Sequence, residues 1–312
     1  MKVPVSALVL TLNEEANIAA CLESSRWAAE VLVVDSLSAD RTAEIAKSLG
    51  AHVYSHPFEG YAKQRNWALD NLPFSSEWVF MLDADERVPT ALAEEIARVV
   101  GTNEAGQNGY YVKRRFLFLG RWLKHGGLYP TWGLRLFKRH CVRYEERPMN
   151  EHVILEGEAG YLKNPFDHCD NRPLSHWIAK HDRYADLEAE EYLSEKLKGG
   201  YQDSIPARLT GKQAERKRWI KLHLWNRLPI LLRPFLLFFR NYFLKGGFLD
   251  GKPGFIYHVL WSFWYQFLIS VKIMERKGKG LSPMASSRVL ETTSEQGRYG
   301  RNENKSVGTI DP

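Results

Sequence analysis

Five carboxylates stand where short apolar runs of the chain end. Asn13-Glu14-Glu15 follows the first run, Asp35 closes Val31-Leu32-Val33-Val34, and Asp83-Ala84-Asp85 follows Phe80-Met81-Leu82. Carboxylate oxygens accept hydrogen bonds from a ribose or a base, and they are hard ligands suited to a divalent cation. Two acids spaced by one residue point to the same side of an extended chain, so one can face a bound sugar while the other reaches a metal. Each acid also has a plainer reading. An Asp-x-Asp fits a solvated turn or a helix cap, Asp35 to Asp40 fits an Asx-turn, and Glu14 fits the first-turn acid of a helix.

Lys63, Arg65 and Asn66 open the helical stretch before the fourth run and can meet phosphate, or can simply form a solvated helix face. Arg135 and Arg139 can bind a diphosphate or an acceptor phosphate, or be strand-edge charges. Trp132 can stack on a sugar ring or fill a core. His168 and Cys169 with His176 lack a fourth zinc ligand at typical spacing. No Gly-x-Gly-x-x-Gly follows the first run and no Gly-Lys-Ser/Thr loop occurs, which argues against dinucleotide oxidoreductases and P-loop nucleotidases.

The elements that must position these groups follow from hydrophobic patterning. Residues 5–10, 31–34, 52–54 and 78–82 are too short for helices and too continuous for half-solvated strands, so they predict buried parallel strands. Helical patterns lie between them at residues 17–25, 40–49, with Asp40 as N-cap and Gly50 as stop, and 61–72. A further one at residues 90–100 carries Leu92, Ile96 and Val99 on one face. The expected fold class is α/β: an open, mostly parallel nucleotide-binding sheet flanked by helices, with ligands at the carboxyl ends of the strands. Residues 109–118 and 134–138 predict strands of a mixed, less regular half, and residues 174–198 a charged amphipathic helix.

Four regions are expected: residues 1–100 as a ligand-binding α/β half, 101–200 as the mixed, less regular half of the same domain, 201–282 as a basic, aromatic helical region, and 283–312 as a polar, disordered tail. Residues 201–280 carry 15 Lys and Arg against 4 Asp and Glu, whereas residues 1–200 carry 24 against 29, so the basic excess lies in the C-terminal region. Its aromatic and aliphatic residues, interleaved with Arg and Lys, predict amphipathic helices on an anionic membrane surface. His258, Ser262 and Gln266 argue against a clean spanning helix. Three widely spaced cysteines offer no disulfide framework and favour a reducing compartment, and the apolar start of the chain lacks the flanks of a signal peptide. No nucleic-acid partner is expected.

Thr11-Leu12-Asn13-Glu14-Glu15, Val34-Asp35-Ser36-Leu37-Ser38-Ala39-Asp40-Arg41-Thr42, Gln64-Arg65-Asn66 and Leu82-Asp83-Ala84-Asp85-Glu86, in that order and at those intervals, resemble family-2 glycosyltransferases of the A-type fold. Tyr129-Pro130, residues 135–139, Asn150-Glu151 and residues 180–184 are similar to the subgroup containing lipopolysaccharide core β-glucosyltransferases, as is Phe248-Leu249-Asp250-Gly251 with Gly254. The resemblance implies an inverting, metal-dependent transfer from a nucleotide-sugar, often UDP-linked, to a hydroxyl of a membrane-bound glycan or glycolipid, with residues 1–100 as the nucleotide-sugar-binding half and 101–200 as the acceptor and catalytic half. Asn13, Glu14, Asp35, Lys63, Arg65, Asn66, Asp83 and Arg135 would then serve donor binding, and Asp85 would hold Mg2+ or Mn2+. Glu151 would be the base that takes the acceptor proton, although Asn150 stands where the subgroup commonly has His. The implied site of action is the cytoplasmic face of the inner membrane, in peripheral or monotopic association. The rival readings are a catalytically silent sugar- or lipid-binding membrane-surface protein and a haloacid-dehalogenase-type phosphohydrolase. Against the latter, Arg87 stands where that family usually has Thr or Val.

Overall fold

The computed structural model describes residues 2–102, 106–145, 153–197 and 228–278. The chain divides into two compact units, Met1–Trp177 with Leu237–Ser262, and Ile178–Leu236 with Phe263–Pro312.

The first unit opens with alternating strands and helices: β1 (Val3–Thr11), α1 (Ile18–Ser24), β2 (Ala28–Asp35), α2 (Thr42–Ser48), β3 (His52–Ser55), α3 (Tyr61–Asn71) and β4 (Trp78–Asp83). These four strands pair in parallel in the order β3-β2-β1-β4. Alternate residues of β4 enter opposite cores. Phe80 and Leu82 pack with Val9, Val33, Ile18, Leu92 and Ile96 on one face, and Val79 and Met81 pack with Leu8, Leu32, Ala68 and Leu69 on the other. Burial on both faces is why the strands read as unbroken apolar runs. The α2 helix begins at Thr42 with Arg41 at the N-cap position, one residue later than the predicted Asp40 cap. Asp40 stays in the preceding turn, where its Oδ1 accepts the Thr42 backbone N–H at 3.0 Å and its Oδ2 accepts that of Glu15 at 3.1 Å.

Beyond β4 come β5 (Glu86–Arg87), α4 (Thr90–Thr102), β6 (Gly109–Phe118), β7 (Arg121–Leu123), β8 (Thr131–Lys138), β9 (Val142–Tyr144), β10 (Val153–Leu155), β11 (Ala159–Tyr161) and β12 (Phe166–His168). The sheet continues from β4 through β8 and β6 to β12 and β5, with β8 antiparallel to both neighbours. β8 therefore starts at Thr131, extending the predicted strand by three residues toward the carboxyl end of β4. The segment after Leu236 returns to this unit: Tyr257, in helix α7 (Gly251–Tyr257), packs its ring against Phe116 and Phe118 of β6 at centroid distances of 5.0 and 5.5 Å. In the labels used here α5 is Leu174–Leu197, α6 is Arg233–Phe239 and α8 is Gln266–Gly278.

Inside the second unit, Lys272 reaches Asp182 and Asp186 at 2.6 Å, Arg276 reaches Asp186 at 2.8 Å, and the Tyr265 hydroxyl donates to Glu188 at 2.7 Å. Among the described residues no helix is long and apolar enough to cross a membrane. His258 and Ser262, the polar interruptions of the apolar run, are buried and bonded to each other at 3.1 Å. The predicted tail at 283–312 lies outside the described residues.

Candidate active site

Strand register sets the site. Thr11 of β1 is level with Asp35 of β2, and Leu10 is level with Asp83 of β4, so two carboxylates flank the end of the central strand on one rim. The Asp35 side chain is buried in its own turn, accepting the Ser38 backbone N–H at 2.9 Å on Oδ2 and the Ser38 hydroxyl on Oδ1. The Asx-turn reading of this stretch is thus what forms, and Leu37 takes the left-handed φ of 63° that closes it. Asn13 laces this turn to the end of β1: its Oδ1 accepts the Ala39 N–H at 2.8 Å and its own N–H donates to Ser38 Oγ at 2.9 Å. Its φ of 54° is a conformation that asparagine tolerates better than most residues.

Asp83 and Asp85 meet different partners. Asp83 lies between two guanidinium groups, those of Arg65 from α3 and Arg135 from β8, each at 3.5 Å. Burial alone would raise its carboxyl, but Arg135 and Arg65 outweigh burial and hold it at about 2. Behind it Glu86, which is buried, accepts the Asp83 N–H at 3.0 Å and binds Arg135 at 2.6 Å. Burial pushes the Glu86 carboxyl up against the pull of Arg135.

Asp85 faces the other way. Its Oδ1 is 3.5 Å from His168 Nδ1 and its Oδ2 is 3.8 Å from Arg172. Arg172 also binds Glu14 at 2.6 Å and Asp170 at 2.7 Å, and Asn17 donates to both acids at 2.8 and 2.9 Å. Burial lifts the Glu14 carboxyl to about 7 despite the Asn17 bond and Arg172. Although burial also opposes ionisation of Asp170, the hydrogen bonds from Arg172 and Asn17 hold its carboxyl well below the usual range. The turn carrying both aspartates is pinned from outside: Arg87 donates to the Ala84 carbonyl at 2.9 Å, and the Cys169 N–H donates to the Asp85 carbonyl at 2.8 Å.

Some predicted residues sit elsewhere. Lys63 is half exposed and pairs with Glu59 at 3.6 Å. Asn66 commits both ends of its amide to the Tyr144 backbone, donating at 2.8 Å and accepting at 2.9 Å, so it ties α3 to β9. Arg139 lies at the far end of β8 from Asp83, with its guanidinium over the Phe74 ring at 5.4 Å. Trp132 is 40% exposed and lines no core. Glu151 lies outside the described residues.

Arg172 completes the rim without having stood out in the sequence, together with Glu86, quoted only as the end of the Asp83-Ala84-Asp85 motif, and His168, weighed only as a zinc ligand. His168 had a motif-like neighbourhood with Cys169, but it comes beside Asp85 only because β12 pairs with β5, His168 opposite Glu86. Among the described residues no three His, Cys, Asp or Glu side chains converge on one cation position. Asp85 and His168 do form an adjacent carboxylate and imidazole; with substrate phosphate oxygens as further ligands, the carboxylate would suit Mg2+ or Mn2+ and the imidazole would favour Mn2+ over the harder Mg2+.

A sheet whose parallel strands end in a cation-capable acidic rim, continued by antiparallel strands that send an arginine back to it, is the A-type fold of sugar-transferring enzymes. The chain belongs to Glycosyl transferase family 2, whose pattern it matches over residues 6–169. It is 29% identical over 282 residues to the lipopolysaccharide core biosynthesis glycosyltransferase LpsC of Rhizobium meliloti, covering 88% of this chain and 93% of that protein. It is 24% identical over 291 residues to an uncharacterized glycosyltransferase of Rickettsia typhi, covering 92% of each chain. Solved structures that match include Staphylococcus aureus TarS 1-349, at TM-score 0.42 and 16% identity over 90% of this chain and 92% of that one. Another is glucosyl-3-phosphoglycerate synthase of Mycobacterium tuberculosis, solved with Mn2+ and UDP, at TM-score 0.36 and 21% identity over 56% of this chain and 75% of that one.

Proposed function

We propose that this glycosyltransferase moves a sugar, with inversion, from a UDP-linked donor to a hydroxyl of a membrane-bound glycan of the lipopolysaccharide core type. The observation that carries the reading is the division of labour in Asp83-Ala84-Asp85: one aspartate lies between two arginines, the other beside an imidazole. On this reading the Asp35 turn and Asn13 shape the nucleoside pocket, and Asp83 with Arg65 and Arg135 orients the donor sugar and its diphosphate. Lys63 would reach the diphosphate once free of Glu59. Glu14 and Asn66 act at one remove, through Arg172 and Tyr144. A divalent cation held by Asp85 and His168 would offset the charge that grows on the leaving diphosphate. Inversion needs a carboxylate on the opposite face to take the acceptor's proton, and Glu151 is assigned that role from the family resemblance. The acceptor class draws support from the name of the Rhizobium relative.

Residence on the cytoplasmic face of the inner membrane, without a span, is part of the same proposal. It is supported by Phe239, Phe243, Leu244, Phe248, Leu249 and Phe255, all exposed within one segment that also carries Arg240, Lys245 and Lys252.

The test is incubation with a panel of nucleotide-sugars and Mn2+, followed by UDP release with and without lipopolysaccharide core acceptor. Acceptor-dependent release from a UDP-sugar is expected. Donor binding without turnover would instead favour the silent sugar-binding reading, and cleavage of phosphomonoesters without donor binding would favour a phosphohydrolase. Glu151→Gln is expected to bind donor and lose transfer.

A further inference from the structure

We infer that the acceptor side of this rim takes an acidic saccharide, one whose carboxylate or phosphate group meets Lys113 and Lys124. The inference rests on the glycosyltransferase reading and adds the acceptor's chemical class.

Between Glu104 and Glu145 the chain carries nine Lys and Arg and no Asp or Glu. Four of these cations are matched to acids from elsewhere: Arg115 to Asp167, Arg135 to Asp83 and Glu86, Lys138 to Glu77, and Arg143 to Asp70. Lys113 and Lys124 have no carboxylate partner among the described residues. Each instead lies over aromatic rings. The Lys113 ammonium is 5.4 Å from the Trp132 ring centroid and 6.0 Å from that of Tyr129, and the Lys124 ammonium is 4.4 Å from that of Trp122.

The rings form two pairs, bridged by the Lys113 ammonium over Tyr129 and Trp132. Trp122 and Tyr129 meet edge to face at 5.0 Å, as do Trp132 and Tyr161. Trp132 and Tyr161 are 40% and 64% exposed, so these rings do not owe their positions to filling a core. Strand geometry brings the group to the rim. Lys113 of β6 is level with Trp132 of β8, and because β8 runs antiparallel to β4, the Trp132 end of β8 lies beside the Asp83 end of β4. Arg135, three residues along the same strand, reaches Asp83 itself.

Exposed aromatic faces suit the apolar C–H face of a pyranose, and an ammonium without an acid supplies charge-assisted donors to an anionic substituent. A neutral acceptor would use the rings and leave both charges idle. The donor's own diphosphate does not account for them, since the reading above gives that group to the Asp83 and Asp85 side of the rim.

The experiment uses the full chain with UDP and Mn2+ present and follows binding of glucuronic acid, glucose 6-phosphate, glucose and inorganic phosphate by saturation-transfer NMR. Glucuronic acid or glucose 6-phosphate is expected to bind about tenfold more tightly than glucose, the scale of one or two charge-assisted hydrogen bonds. Whichever of the two acids binds better separates a carboxylate from a phosphate preference. The double variant Lys113→Gln/Lys124→Gln should reduce the preference to about threefold, which is what remains when neutral hydrogen bonds of half the strength replace charged ones. Trp132→Ala should weaken all three sugars together. The inference is overturned if glucose binds as well as the acids, if the double variant keeps the preference, or if inorganic phosphate binds as well as glucose 6-phosphate. UDP binding by the wild-type chain is measured alongside: its absence overturns the glycosyltransferase reading as well, whereas its presence without an acidic preference overturns this inference alone.

Discussion

Asp250 holds His125 at two points: its Oδ2 accepts the His125 backbone N–H at 2.9 Å, and its Oδ1 lies 2.8 Å from the ring Nδ1. The Asp250 side chain is almost fully buried, whereas the His125 ring is partly exposed, so losing Asp250 leaves chiefly the His125 backbone N–H without an acceptor. The His125–Gly127 turn it secures is fixed again where the Gly126 N–H donates to the Lys245 carbonyl at 2.9 Å. Asp250→Ala is expected to cost about 2–4 kcal/mol in urea unfolding, and Asp250→Asn less, because the amide oxygen still accepts one N–H.

Glu95 of α4 plays a comparable part for the approach to β12. Its two oxygens accept the backbone N–H groups of Lys163 and Asn164, each at 2.8 Å, together with the Asn164 side-chain amide at 2.8 Å. Glu95→Ala should destabilise the fold by about 2–3 kcal/mol and raise hydrogen exchange at residues 163 and 164 first. Unchanged exchange at these amides would remove this assignment.

Asp85→Asn should leave the fold intact and lower kcat/KM by about a hundredfold or more, the usual loss when a group stabilising developing charge is removed. In the parent protein, EDTA should abolish turnover and Mn2+ should restore it. In the variant, UDP affinity should lose its dependence on Mn2+.

His258 gives stability a pH dependence. Burial lowers its pKa from 6.5, the nearby Asp250 opposing, so the native state favours the neutral ring. The stabilisation is fully present above pH 6.5 and is lost as pH falls through 6.5 toward the depressed native value, with a slope of at most about 1.4 kcal/mol per pH unit. In denaturant titrations at pH 7.5 and 5.5, His258→Gln should show a smaller loss between the two pH values than the parent.

The first four strands were legible in the sequence because they are covered on both faces, which leaves apolar runs with little ambiguity of period. Their acidic ends followed with them, and register put Asp35 and Asp83 on one rim, on either side of β1. Arg172 was not legible, because nothing local distinguishes it, and His168 stood out only for a zinc set that lacks a fourth ligand. They acquire meaning only when β12, three residues long, pairs with the two-residue β5, contacts that hydrophobic periodicity does not report. Asn66 stood in a recognisable motif, yet its chemistry is spent on the backbone of Tyr144, a role invisible until α3 and β9 meet. The π-helical stretches Arg240–Leu244 and His258–Tyr265 carry no pattern that separates them from ordinary helix.

The β4–β8 seam has a practical consequence for engineering. Its paired residues are Trp78–Phe80 against Leu136–Lys138, so its backbone bonding is short and lies away from the rim, while Arg135 crosses beside it to Asp83 and Glu86. A chimera that exchanged the antiparallel half for that of a relative would transplant the proposed acceptor face together with one of the two guanidinium groups flanking Asp83. Recombination libraries cut at this seam should therefore keep position 135 basic and position 86 acidic in every member, and let the aromatic and lysine positions of β6 to β8 vary freely.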